Sequence, residues 1–177
     1  MRTRIIGLIL FAAAVGVLVV VLKTLNWVPG IMQDGLLRQY VSLDDVKTRL
    51  SIAKPAAPSY YPQGLRWPPV RIMAQSKPYL MIIQEYARLD DGVIALVILQ
   101  SEQGRTPPKL PLEMARKTEH VVFSIKEKEA SLDVGTCGSD QQCSRVIWNE
   151  GNTQITVIML AAPSEIVKIA DSMIYTP

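Results

Sequence analysis

Few residues in this chain combine the types and spacing that chemistry needs. Cys137 and Cys143 are its two cysteines, in CGSDQQC. Five small or polar residues between them suit a loop tip closed by a bridge, and in an oxidising compartment a disulfide is the expected state. The spacing is wrong for C-x-x-C redox chemistry. A zinc site would need more ligands than the single histidine, His120, supplies. Asp90 and Asp91 form the other suggestive pair. They precede Gly92 between two strand-like runs, and Asp-Gly in that setting is a hairpin turn signal, so the pair reads as a turn without a third ligand. His120 opens a strand-like run and reads as a solvated edge residue. No G-x-S-x-G, phosphate-binding loop, dinucleotide fingerprint or metal-ligand cluster appears. Catalysis needs positioned acids, bases or a nucleophile. The expectation is a non-catalytic protein with no cofactor.

The largest local signal lies at the start of the chain. Ile5 to Leu22, IIGLILFAAAVGVLVVVL, is an unbroken apolar run with Arg2 and Arg4 before it and Lys23 after it. A hydrocarbon core of about 30 Å takes a helix of roughly 20 apolar residues. The run is longer than the about 7–15 residues of a secretion signal and lacks a small-residue cleavage pair at its end, so a retained anchor is expected over residues 1–28. The basic residues ahead of it place the N-terminus on the cytoplasmic side and the bulk of the chain outside. Lys23 and Trp27 fit the membrane interface, one by snorkelling and the other as an aromatic anchor. Ala12 and Gly16 form a small-xxx-small pair that would let a second helix approach closely.

The chain of 177 residues has 19 basic and 16 acidic side chains, a net charge of +3. Without Arg2 and Arg4 the balance is 17 to 16, so the exported part is close to neutral. That excludes a strongly basic nucleic-acid or anionic-lipid surface. Room remains for one domain of ordinary size.

Residues 29–69 read as a short helix and a linker. Ser42-Leu43-Asp44-Asp45 resembles a capping box, and Leu43, Val46 and Leu50 recur at helical spacing, giving a helix over Leu43 to Ile52. The stretch KPAAPSYYPQGLRWPPV that follows is rich in proline, hence extended and semi-rigid. It carries Tyr60, Tyr61 and Trp67, which read as lying across the edge of the domain that follows or, alternatively, as candidates for contact with a partner.

From Val70 to Pro177 the period becomes that of strands. Val70–Gln75, Tyr79–Arg88, Val93–Ser101, Glu119–Ile125, Ser131–Val134, Ser144–Asn149 and Thr153–Leu160 read as strands, the last two forming a hairpin about Glu150-Gly151-Asn152. Leu112 to Thr118 reads as a short helix or an irregular approach. Ser164 is placed to cap a closing helix from Glu165 to about Ile174. The fold class is α+β: one N-terminal transmembrane helix, then an antiparallel sheet of about five or six strands carrying one or two helices.

Tyr60 to Leu65 (YYPQGL), Val146 to Asn152 (VIWNEGN) and Glu165 to Met173 (EIVKIADSM) together resemble small extracytoplasmic domains of single-span bacterial proteins related to the MucB/RseB and lipoprotein-carrier group. The resemblance covers roughly residues 60–175. It implies a sensing, binding or scaffolding module in the bacterial periplasm, with no catalytic residues to carry over. Only about four residues precede the apolar run, too few for the cytoplasmic part with which such sensors grip a transcription factor. Two functions are therefore expected. The first is an accessory subunit whose exported domain packs on the outer face of a larger integral membrane complex, respiratory, photosynthetic or transport. The alternative is a membrane-anchored carrier or sensor that encloses a small apolar ligand.

Overall fold

The computed structural model describes residues 15–23, 37–52, 55–138 and 140–175. Two compact units divide the chain, Met1–Leu36 and Leu37–Pro177. In the first, α1 spans residues 15–23, and its apolar side chains from Val15 to Leu22 are exposed. Among the described residues no helix is long and apolar enough to cross a membrane. Most of the run expected to do so, residues 5–14, lies outside the described residues, as do Ala12 and Trp27.

The second unit is built on an antiparallel sheet. In chain order its elements are β1 (Arg38–Tyr40), α2 (Leu43–Leu50), β2 (Ala56–Pro58), β3 (Arg71–Gln75), β4 (Met81–Ala87), β5 (Ile94–Glu102), β6 (Met114–Ile125), β7 (Lys128–Cys137), β8 (Gln141–Glu150), β9 (Thr153–Met159), α3 (Pro163–Ser172) and β10 (Met173–Tyr175). The eight-stranded sheet runs β1-β3-β4-β5-β9-β8-β7-β6, and β2 pairs with β10 in a separate two-stranded ribbon. Hairpins join β3 to β5 and β6 to β9. The connection 103–113 carries the chain from β5 in the middle of the sheet to β6 at its far edge.

The period of two sends alternate side chains to opposite faces. One face presents Ile72, Ile82, Tyr86, Leu96, Ile98, Val146, Trp148, Ile155 and Val157, all buried. α3 lies on β8 and β9 there, while α2 covers β1 and β3. Ile166, Ile169 and Ala170 of α3 and Val46 of α2 are the helices' buried anchors. The ribbon docks through polar groups. Gln84 Nε2 donates to Ala56 O and Gln100 Oε1 accepts from Ala56 N, both at 2.8 Å and buried, and Tyr86 Oη donates to Gln84 Oε1. These bonds satisfy backbone groups that burial would otherwise leave unpaired. Met81, Ile83, Val97, Leu99 and Ile158 form the opposite face, which the two cysteines continue on β7 and β8 and which Leu110 and Leu112 of the connection cover.

Antiparallel sheet, hairpins and packed helices agree with the α+β expectation. Several particulars differ. The sheet has eight strands rather than five or six: all seven strand-like runs join it, and β1 adds an eighth. Leu112–Thr118 is not a helix: Met114 to Thr118 begins β6, held to β7 across two register shifts. α3 starts at Pro163, whose fixed φ suits the first helical position, with Ala162 as N-cap and no side-chain cap, so Ser164 is not the cap. Ser42 does cap α2, accepting from Asp45 N at 3.1 Å. The expected linker over 29–69 is, from Leu37 onward, part of the same compact unit as the sheet, tied in by the β1–β3 and β2–β10 pairings.

Candidate functional site

The aromatic segment leaves β2 and turns across one end of the sheet. Ser59 anchors it, its amide and hydroxyl both donating to Ser172 O at 3.2 and 2.9 Å. Arg66 N bonds Ala87 O and Leu89 N bonds Gly64 O, fastening the stretch to the end of β4. Gly64 has φ of +89°, a conformation that favours glycine there.

This path settles the three aromatics differently. Tyr60 is half-buried and its hydroxyl donates to Glu165 Oε2 at 2.9 Å. Lys168 Nζ holds the other oxygen of Glu165 at 2.7 Å and stands 5.9 Å from the centre of the Tyr60 ring. The bond to Glu165 raises the Tyr60 phenol above its ordinary value, while Lys168 and then Tyr60 lower the Glu165 carboxyl. Trp67 is half-buried between Tyr61 and Tyr86, with ring centres 4.2 and 4.3 Å away. Burial, and then the neighbouring Tyr61, push the Tyr86 phenol up, in keeping with its role as a neutral donor to Gln84. Tyr61 stands outermost, at 55% exposure.

Tyr60 lines an open groove of about 640 Å³. Leu65, Ala95 and Met159 give it an apolar floor; Tyr60, Glu165 and Arg88 stand on its charged rim. Arg88 is bonded to Asp91, and its guanidinium lies 3.8 Å from Asp90. Asp91 also accepts from Val93 N at 3.0 Å, and Gly92 has φ of +71°. The acidic pair therefore forms the tip of the β4–β5 turn, with its carboxylates engaged locally. The bond from Arg88 and then that from Val93 N hold the Asp91 carboxyl below its ordinary value.

Cys137 and Cys143 are bonded to each other at 2.05 Å and buried. They sit at the facing ends of β7 and β8 rather than within a free loop, in the same buried cluster as Leu110 and Leu112. Gly16 and Lys23 lie on α1; a Cβ at Gly16 would meet nothing within 4 Å.

A second polar constellation escaped sequence reasoning. Asp133, 3% exposed, lies on the sheet face that carries the connection. Its Oδ2 accepts from Arg145 Nη2 at 2.6 Å and Nε at 3.2 Å, and its Oδ1 lies 2.7 Å from His120 Nδ1 and 3.3 Å from Lys117 Nζ. Burial opposes the charge of this carboxylate, yet hydrogen bonds from Arg145, His120 and Lys117 outweigh it and hold its pKa below the ordinary value. The sequence offered little signal: Asp133 stands between Leu132 and Val134, but its same-face neighbours are Ser131 and Gly135, and Arg145 follows Ser144. His120 is thus half-exposed as expected on the edge strand, but paired. No hydroxyl or thiol is bonded to its other ring nitrogen among the described residues, so the pair lacks the nucleophile of a hydrolytic triad. Among the described residues, too, no group of three His, Cys, Asp or Glu side chains is gathered to hold a metal ion.

No family model, curated protein or solved structure matches this chain.

Proposed function

We propose that this chain is a non-catalytic, single-span accessory subunit of a larger integral membrane complex, and that its domain docks on the outer face of that complex. The observation that carries the reading is the apolar run Ile5–Leu22, bounded by Arg2 and Arg4 on one side and Lys23 on the other. A bacterial inner membrane fits that arrangement, with the N-terminus cytoplasmic and the domain periplasmic. The disulfide supports an oxidising compartment for the domain. The groove lined by Tyr60 supports docking. It joins an apolar floor to a charged rim, as interfaces join a buried centre to a polar border, and tyrosine, here Tyr60, is a side chain enriched at interfaces. Ala12 and Gly16 would face a helix of the host.

The test is co-purification of the full chain in mild detergent, with the host identified by mass spectrometry. A migrating complex that is weakened by the Ala12→Leu, Gly16→Leu double variant supports the reading. A wild-type chain that migrates alone from native membranes, or protease shaving that reaches the domain only from the cytosol, overturns it.

A further inference from the structure

A second cavity, of about 320 Å³, lies on the sheet face opposite α3, between the connection 103–113 and strands β5, β9 and β8. Its size is at the low end of the roughly 300–1,000 Å³ of small-molecule sites. Leu99, Ile158 and Leu110 make its apolar part. Ser101, Gln154 and Thr156 make a polar floor; Gln154 stands directly opposite Ser101, and Thr156 lies two residues along the same strand. Ser101 and Thr156 are 2% and 8% exposed, and none of these three side chains has a hydrogen-bond partner among the described residues. The side-chain polar atoms sealed in without a partner belong to Trp67, Gln75 and Glu85, so the two hydroxyls keep access to the cavity. Buried hydroxyls in native proteins are bonded, and here the cavity is the place from which a partner can come.

The charges around this floor select the partner. Arg105 and Arg145 reach the cavity from two sides, and Glu113 is the acidic side chain on its wall. Arg145 is already held through Nε and Nη2 by Asp133, which fixes its plane and leaves Nη1 uncommitted. Arg105 lies 5.1 Å from the centre of the Tyr79 ring, which steadies it at the rim. Two guanidinium groups stand against Glu113, and Asp133 behind Arg145 is also engaged by Lys117, so one unit of positive charge remains for a guest. Hydroxyl and guanidinium donors converging on that charge suit anionic oxygens.

We propose that this cavity binds a small organic monoanion, a carboxylate carried on an apolar body. The carboxylate accepts from the Thr156 and Ser101 hydroxyls and from the guanidinium groups, and the body lies on Leu99, Ile158 and Leu110. The site is independent of the docking groove, which lies beyond the end of β4 and against α3.

The experiment titrates the full chain in nanodiscs with 3-phenylpropanoate, followed by calorimetry and by amide shifts. 3-Phenyl-1-propanol and the matching phosphate monoester are titrated alongside. The acid should bind with a dissociation constant of about 1 mM or tighter, and the alcohol at least about tenfold more weakly. Shifts should cluster at Ser101, Gln154 and Thr156. Thr156→Val, which keeps the shape of the side chain, and Arg105→Gln, at an exposed position, should each weaken the acid about tenfold. Arg88→Gln, in the other groove, should leave it unchanged. Equal binding of acid and alcohol, tighter binding of the phosphate ester, shifts elsewhere, or affinity indifferent to both cavity variants would each overturn the assignment.

Discussion

Gly135 shows how tightly one position can be constrained in a strand. A Cβ built there would lie 1.9 Å from Arg116 O, backbone of the neighbouring strand β6. Backbone cannot swing aside as a flexible side chain can, so Gly135→Ala should part β6 from β7 at the register shifts. The expected loss is about 1–3 kcal/mol in urea unfolding, with faster amide exchange along β6 and unchanged protection in β4 and β5. Asp133 makes a different demand. Its folded pKa is held below the ordinary aspartate value, so its contribution to stability is present above that value and is lost as pH falls through the folded one. Wild-type stability should therefore fall as pH is lowered below about 4. Asp133→Asn should be less stable at neutral pH and should lack this part of the acid-side decline, a difference that denaturant titrations at a series of pH values would measure.

Among the elements, the β7–β8 hairpin and the docked ribbon show two ways of closing a sheet. The disulfide spans a sequence separation of six. A ring that short removes little chain entropy; the loop-closure estimate is about 2 kcal/mol. Replacing both cysteines by alanine should destabilise the domain by about that amount, and by somewhat more if the space left against Leu110 and Leu112 does not collapse. Far-ultraviolet circular dichroism should be unchanged, because the β7–β8 ladder continues from Gln141 to Trp148 without the bridge. The ribbon is held instead by Gln84 and Gln100, whose amides serve both backbone groups of Ala56. Glutamines in the middle of apolar strands look like interruptions until the segment they dock is known.

At the scale of the whole molecule, the compact unit begins at Leu37. It has its own apolar clusters on both sheet faces, with α2, α3, the ribbon and the connection as covers. A chain beginning at Leu37 should therefore fold without detergent and unfold in one cooperative transition, with coincident curves from fluorescence and circular dichroism. Two separated transitions, or a chain that folds only when residues 1–36 are present, would refute the autonomy of the unit. Among the described residues β6 is the one long edge of this sheet. Arg116, Lys117 and Glu119, with two register shifts, occupy its first half, devices that discourage pairing with another sheet.

Local features were legible from the residues alone. The Ser42 cap, the Asp-Gly turn, the cysteine pair and most strands depend on interactions within a few positions, where side-chain type and period suffice. What escaped depends on which distant strands become neighbours. β1 is only Arg38–Tyr40, too short to show a period, and joins the sheet through β3. Met114–Thr118 looked unlike a strand because an edge exposed on both sides shows no apolar alternation. Lys117, His120, Asp133 and Arg145 meet through the registers of two hairpins. The floor of Ser101, Gln154 and Thr156 exists because β9 lies beside β5. The amino-acid order by itself determined an apolar leading segment, a bridged cysteine pair and an antiparallel α+β domain. Only the tertiary structure decided the strand order, the polar clusters and the cavities, because strand pairing is non-local and a single shift of register turns every side chain to the opposite face.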